Sequence, residues 1–306
     1  MLDDSAFQRP TFLAIGRLAP VRIERRGAQI TAVRVGEGSW ALDEEGLRHW
    51  LEVVVDGVAG VQGRFPVQEL LVVLFPQPGR GVGFGMVRRG GGCSVGFLVG
   101  LESTEADLTE AWVPWHEMSH LHLPALPQRD AWLYEGLATY YQEVVAARVG
   151  VKTEPQAWRQ LVLGFARGEG GPAERSLRED AESMVQNRAF MRVYWAGTAF
   201  ALEADVLLRS HGSSLDAAIA RAARQWRGST RLWSSEEVCA LWDGDAEVLS
   251  ALRERYATQV PFPDTHALLS RLGVSSAEAG MELDDAAELS AVRRAIMQGA
   301  DLPLQK

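Results

Sequence analysis

The stretch HEMSH at residues 116–120 decides how the rest of the chain is interpreted. On an α-helix, residues four apart share a face, so His116 and His120 point the same way while Glu117 lies one step round. This is the pattern HExxH, in which two imidazoles bind one zinc ion and the glutamate serves as a general base. The alternative is an incidental helix whose histidines and glutamate are solvated.

A second stretch, WLYEGLATYY at residues 132–141, supplies a candidate third ligand. Its Glu135 follows His120 by fifteen positions and lies near the start of a predicted helix. Two neutral imidazoles and one carboxylate leave the fourth position of a tetrahedral zinc ion to water, which is typical of a catalytic rather than a structural site. The sequence therefore predicts one Zn²⁺ per chain, held by His116, His120 and Glu135.

Together these stretches resemble the gluzincin zinc metallopeptidases, notably the glycyl aminopeptidase family, the aminopeptidase N type and the shorter peptidase MA-like proteins. A third stretch, VYWAGTAFAL at residues 193–202, is similar to the YxKG segment of those families. The resemblance covers roughly residues 40–274 and implies a thermolysin-like zincin catalytic domain in which Glu117 is the general base. It also implies that Tyr194 stabilises the tetrahedral intermediate, the alternative being a core tyrosine packed with Trp195.

The sequence departs from those families at two places. Ala196 replaces the lysine of YxKG, and GFGMV at residues 83–87 carries no carboxylate to hold the α-amine of a substrate. The choice between aminopeptidase and endopeptidase therefore stays open. By the same resemblance, the strand at residues 93–99 is expected to be the sheet edge along which an extended peptide lies.

Two functional classes follow from these residues. The favoured hypothesis is a zinc-dependent metallopeptidase acting on a peptide or protein substrate, with a zinc-activated water and Glu117 as base. The alternative is a catalytically inactive or repurposed gluzincin-like binding module, or a hydrolase of a non-peptide substrate. Thr139 and Glu143, one and two turns beyond Glu135, are candidates for hydrogen bonding to the metal-bound histidines.

The composition of this 306-residue chain argues against two classes of binding partner, nucleic acids and membranes. Its formal net charge is -9, and without a basic face a nucleic acid partner is not expected. The longest apolar runs fall far short of the ~20 residues that cross a bilayer, so no membrane partner is expected either. Two cysteines and the absence of a signal-peptide pattern at the first residues favour a cytoplasmic protein. The oligomeric state stays open.

The order of predicted elements indicates an α+β fold, because short strands precede a long run of helices. We expect a mostly antiparallel N-terminal β-sheet with one helix at residues 42–58, then the HExxH helix, then an α-helical subdomain. The predicted divisions are 1–150 for the sheet with both ligand-bearing helices, 151–274 for the helical subdomain carrying Tyr194, and 275–306 for a C-terminal helical tail. His122, two residues past the motif, is expected to be a surface or capping histidine.

Overall fold

The computed structural model describes residues 10–171, 174–243, 248–277 and 280–299. Contacts divide the chain into two compact units. Among the described residues, the first unit comprises 10–122 and 227–231, and the second comprises 123–226 and the remainder from 232 to 299. The division differs from the predicted one at residue 150, because the helix that carries Glu135 packs with the helices that follow it.

The first unit contains a β-sheet and three helices in its described part. Its elements are β1 (Val21–Arg25), β2 (Ala28–Arg34), α1 (Glu44–Ala59), β3 (Glu69–Gln77), β4 (Val82–Arg88), β5 (Cys93–Gly100), α2 (Glu105–Glu110) and α3 (Trp112–Ser119).

The five strands form one sheet in the order β1-β2-β3-β5-β4. The outer pairs, β1 with β2 and β4 with β5, are antiparallel, whereas β2 with β3 and β3 with β5 are parallel. The sheet is thus mixed, and the expectation of a mostly antiparallel sheet was wrong in this detail. The reason is α1, which connects β2 to β3 and returns the chain to the starting end of the sheet, as a parallel connection requires. The α+β class itself is confirmed.

The position of β5 corrects a second expectation. This strand lies between β3 and β4, so residues 93–99 are interior to the sheet. The edge strand on this side is β4, which contains the GFGMV segment. The two strands form an antiparallel hairpin, and the sequence could not tell which arm would pair with β3.

The core of the first unit lies between the sheet and α1. Helix α1 begins at the cap Asp43, whose side chain accepts a hydrogen bond from Gly46 N. Its apolar residues Leu47, Leu51, Val54 and Val58 are buried, and Trp50 meets Phe97 of β5 edge to face with ring centroids 5.9 Å apart. Residues 11–15 are irregular, and Phe12 packs against Phe75 and fills the space above Gly96.

The second unit is mostly helical in its described part. Its elements are α4 (Ala131–Arg148), α5 (Glu154–Glu169), α6 (Leu177–Glu182), α7 (Met184–Asn187), α8 (Phe190–Ser210), α9 (Leu215–Trp226), α10 (Ser235–Asp243), α11 (Val248–Thr258), α12 (His266–Leu272), β6 (Val274–Ala277), β7 (Gly280–Leu283) and α13 (Ser290–Gln298).

The C-terminal region differs from the predicted helical tail. Gly273 ends α12 with a φ of 72°, a left-handed conformation that suits glycine. The chain then enters the antiparallel pair β6 and β7 before the helix α13. Residues 278–279 and 300–306 of the predicted tail lie outside the described residues.

Candidate metal centre

Helix α3 carries the HExxH motif and is only eight residues long. Its N-cap is Ala111, whose side chain offers no capping acceptor. Pro114 is accommodated because it lies in the first turn, where no hydrogen bond from its backbone nitrogen is needed. The buried Trp115 donates from Nε1 to the Thr109 carbonyl oxygen at 2.9 Å, which ties the helix to the end of α2.

The two motif histidines lie together on one face of the chain, as predicted. His116 belongs to α3 and His120 is its C-cap residue. Their ring centroids are 4.7 Å apart with planes at 86°, and the residues are 3 % and 4 % exposed. The exposed Trp112 packs edge-on against His116, with centroids 5.6 Å apart.

Glu135 completes a group that can hold a metal ion. One ligand atom each from His116, His120 and Glu135 lies within 4.8 Å of the other two. Glu135 is half-buried in the first part of α4. Two imidazole nitrogens and one carboxylate oxygen form the donor set that borderline-soft divalent ions such as zinc prefer. The structure thus brings together the three residues that the spacing predicted.

Glu117 lies against β4. It is half-buried, and its Cγ would be 2.5 Å from a Cβ added at Gly85. The same Cβ would lie 2.8 Å from Val113 Cγ1 and 3.1 Å from Phe97 Cδ1. Any side chain at residue 85 would therefore displace Glu117 or β4. Sequence reasoning missed this contact, although an isolated glycine within a strand signals a close approach of another segment.

Two contacts hold the segment that follows α3. Arg89, just beyond β4, donates from Nη2 to the carbonyl oxygen of His120 at 2.8 Å. Gln62 donates from Nε2 to His122 Nδ1 at 3.0 Å, and His122 is fully buried. The prediction of a surface or capping histidine was therefore wrong. Residues 120–122 form a tighter 3₁₀ turn, which changes the direction of His122 from that expected on a continuous α-helix.

The position of Glu135 depends on a close crossing of two helices. Gly136 of α4 and Gly197 of α8 touch backbone to backbone, and a Cβ at Gly197 would lie 1.8 Å from the Trp132 carbonyl oxygen. A Cβ at Gly136 would lie 2.2 Å from the carbonyl carbon of Gly197. The sequence signal was a glycine in the interior of each predicted helix, which usually has a packing reason.

Tyr194 lies in the first turns of α8, three residues before Gly197. It is half-buried, and its carbonyl oxygen accepts a hydrogen bond from Thr198 Oγ1 at 2.8 Å. The adjacent Trp195 packs instead against Phe165 and Gly164 of α5. Consecutive helical residues point about 100° apart, so Tyr194 does not share the direction of Trp195.

The two candidates beyond Glu135 are both buried on α4. Thr139 Oγ1 has no hydrogen-bond partner among the described residues. Glu143 receives a hydrogen bond from Gln142 Nε2 at 2.9 Å and forms an ion pair with Lys152 Nζ. These contacts account for the buried carboxylate of Glu143 without a histidine, and a role of either residue at the metal stays a prediction.

Comparison with solved structures identifies the fold. An aminopeptidase N family protein from Idiomarina loihiensis superposes with a TM-score of 0.66 at 16% identity, over 85% of this chain and 50% of that one. The M1 zinc metallopeptidase from Deinococcus radiodurans gives 0.54 at 17% identity, over 81% and 52%. The chain shares the fold of the M1 zinc metallopeptidases. A mutant of the Deinococcus radiodurans M1 enzyme was solved bound to a Tyr-Ser-Ala substrate.

The M1 likeness extends to yeast LTA4 hydrolase in complex with bestatin, with a TM-score of 0.52 at 11% identity over 80% of this chain and 40% of that one. The chain spans about half the length of these M1-fold structures. No family model and no curated protein matches its sequence. None of the described helices is both long and apolar enough to cross a bilayer.

Proposed function

We propose that the chain is a zinc-dependent metallopeptidase that hydrolyses peptide bonds. The observation that carries the proposal is the close grouping of His116, His120 and Glu135 within the M1 fold. The donor set fits zinc, since two imidazoles and one carboxylate are the protein ligands of many catalytic zinc ions. Bound there, zinc would polarise the carbonyl of the scissile bond and lower the pKa of a water molecule toward ~7.

Glu117 is the proposed general base. The residue is half-buried, it neighbours His116 on α3, and its side chain lies against Gly85 of β4. In this role it removes a proton from the attacking water and returns it to the leaving amine. Such proton transfer typically contributes ~10² to 10⁴-fold to the rate.

Tyr194 is the proposed donor to the carbonyl oxygen of the scissile bond. A phenol O–H can donate a hydrogen bond that strengthens as negative charge develops on that oxygen. Removal of one such donor typically lowers kcat by ~10² to 10³-fold.

The edge strand β4 is the proposed surface for the substrate backbone. It is the last strand of the sheet, and Gly85 places its backbone directly against Glu117. An extended peptide that added to this edge would gain main-chain hydrogen bonds, as in other cases of strand addition. Because Gly85 has no side chain, the scissile bond of a peptide bound along β4 would lie within reach of Glu117.

A peptide library digested by the wild type and by Glu117→Gln tests the proposal. We expect the wild type to cleave peptides and Glu117→Gln to lose at least ~10²-fold in rate while it retains zinc. Glu110→Gln, at an exposed position at the end of α2, is the matched control and should remain active. Mass spectrometry of the products separates removal of N-terminal residues from internal cleavage.

Equal cleavage by Glu117→Gln and the wild type would contradict the proposal. Binding of peptides without cleavage by a zinc-loaded wild type would support the binding module instead. Hydrolysis of non-peptide esters alone would indicate another substrate class.

A further inference from the structure

Helices α4 and α8 cross in backbone contact beside the candidate site. At Gly136 and Gly197 neither helix has room for a methyl group, because the nearest atoms are backbone atoms of the other helix. A flexible side chain could move aside, whereas a backbone cannot without a shift of the whole helix. The separation of α4 and α8 is therefore fixed by these two glycines.

Two residues assigned to the reaction flank this crossing. Glu135 immediately precedes Gly136 on α4, and Tyr194 precedes Gly197 by just under one turn on α8. Any displacement at the glycines therefore changes the position of the Tyr194 phenol relative to the Glu135 carboxylate. On either side of the crossing, Trp132 packs edge-on against Phe200 and Tyr140 donates to Asp205, which limits how the helices can slide.

Thr198 links the same two backbones. Its Oγ1 lies 2.8 Å from the carbonyl oxygen of Tyr194 and 3.3 Å from that of Gly136. The residue is fully buried. The Thr198 hydroxyl therefore donates to one backbone carbonyl of α8 and lies within hydrogen-bond distance of one backbone carbonyl of α4.

We propose that Gly136, Gly197 and Thr198 are positioning residues that set Tyr194 relative to Glu135. The proposal rests on the proposed function, in which Glu135 is a zinc ligand and Tyr194 a hydrogen-bond donor to the substrate. None of the three residues needs to touch substrate. They act through the distance between the helices, for which no other residue type at 136 or 197 leaves room.

A double-mutant cycle on turnover tests the link to Tyr194. We expect Gly197→Ala to lower kcat by roughly 10-fold or more, with little change in KM, because the displaced phenol loses a contact made in the transition state. In a Tyr194→Phe background, Gly197→Ala should cost less than about 2-fold further, since the donor is already absent. Full additivity of the two losses would overturn the proposal.

The zinc affinity tests the link to Glu135 independently of turnover. We expect Gly136→Ala to weaken zinc binding by roughly 10-fold in competition with a chelator. Gly170→Ala, where a Cβ would meet its nearest atom at an ordinary 3.7 Å, is the matched control and should leave the affinity unchanged. An unchanged affinity in folded Gly136→Ala would overturn the proposal.

A milder pair of variants covers the case in which an alanine prevents folding. Thr198→Val keeps the shape of the side chain and removes the hydroxyl, and we expect kcat to fall several-fold with recovery in Thr198→Ser. Loss of stability without loss of kcat in Thr198→Val would overturn the role of Thr198. A wild type that binds zinc and cleaves no peptide would contradict the proposed function alone, and the zinc affinity of Gly136→Ala would still decide the positioning role.

Discussion

The helices α3 and α4 both carry candidate metal ligands, and they are held in place by different means. Helix α3 has eight residues, no side-chain cap and two hydrogen-bonded tethers to other segments, from Arg89 to the His120 carbonyl and from its own Trp115 to the Thr109 carbonyl. Helix α4 has eighteen residues, most of them buried, and is fixed by the glycine crossing and by buried polar contacts to α8 and α9. The position of the short helix α3 thus depends on a few hydrogen-bond donors, whereas the position of the long helix α4 depends on its packing in the core of the second unit.

The difference predicts whether a substitution changes the stability of the fold or the affinity for metal. Substitutions in the buried polar network that holds α4 should act mainly on the stability of the fold. Substitutions that disturb the tethers of α3 should lower the metal affinity as well as the stability. Equal changes in stability and in metal affinity for variants of the two helices would contradict this comparison.

The largest expected effect is at Asp216, the start of the buried network behind α4. Tyr141 donates to Asp216 Oδ1 at 2.7 Å, and Arg148 Nη2 lies 2.9 Å from Oδ2. Burial and the Asp216 carboxylate raise the pKa of Tyr141 well above its usual value, so the phenol remains a donor. Asp216→Ala leaves the Arg148 charge buried without its carboxylate partner and should cost ~3 to 5 kcal/mol of unfolding free energy.

Urea denaturation of Asp216→Ala beside Tyr141→Phe measures that effect. Tyr141→Phe removes one hydrogen bond and keeps the ion pair, so we expect a loss of only ~1 to 3 kcal/mol. Equal losses in the two variants would show that the ion pair contributes little to holding α4.

An intermediate effect is expected at Arg89, the tether of α3. Arg89→Met removes a charge-assisted donor to the His120 carbonyl and should cost ~1.5 to 3 kcal/mol of stability. Because the lost bond lies on a ligand residue, we also expect zinc affinity to fall by about 10-fold. Chelator competition measures this affinity.

The neighbouring Arg88→Met provides the control. Arg88 pairs with Ser94 through the sheet, and within the described part of the chain its side chain has no hydrogen bond or ion pair, so this variant should change neither stability nor zinc affinity. A loss of zinc affinity in both variants would point to the general positive charge near α3 instead of the tether.

The smallest expected effect is a pH dependence at the cap of α2, which precedes α3. The Thr104 backbone N–H and hydroxyl, followed by the Arg80 guanidinium, lower the pKa of Asp107 to about 2. The folded pKa is below the unfolded value, so the stabilisation is present above pH ~4 and is lost as the pH falls toward 2. The difference in stability between wild type and Asp107→Asn should therefore shrink over that range. A difference that stays constant from pH 6 to pH 2 would contradict this assignment.

Much of the candidate site was predictable because HExxH depends on a local periodicity. The face shared by His116 and His120 follows from helix geometry alone, and Glu135 followed from its own helical stretch. The mixed sheet was not predictable, because strand pairing across α1 depends on contacts distant in sequence. The burial of His122 was missed for a local reason, since nothing in residues 120–122 announces that the α-helix tightens into a 3₁₀ turn.

Glycines were the weakest point of the sequence analysis. Gly85, Gly136 and Gly197 carry no functional group, and their importance lies in the atoms that approach them. Only the structure shows that Glu117 fills the space beside the first and that two helix backbones meet at the others. An interior glycine in a helix or strand near a motif therefore indicates a close contact, although the sequence cannot name the partner.

The zinc content of protein purified without added metal, measured beside Glu135→Ala, tests the central claim most directly. The account predicts about one zinc per chain in the wild type and a marked loss in Glu135→Ala, because two imidazoles alone hold the ion weakly. Glu169→Ala, at an exposed position of α5, should retain the wild-type content. A wild type that takes up no zinc even on titration, or a Glu135→Ala variant that binds it equally well, would contradict the account.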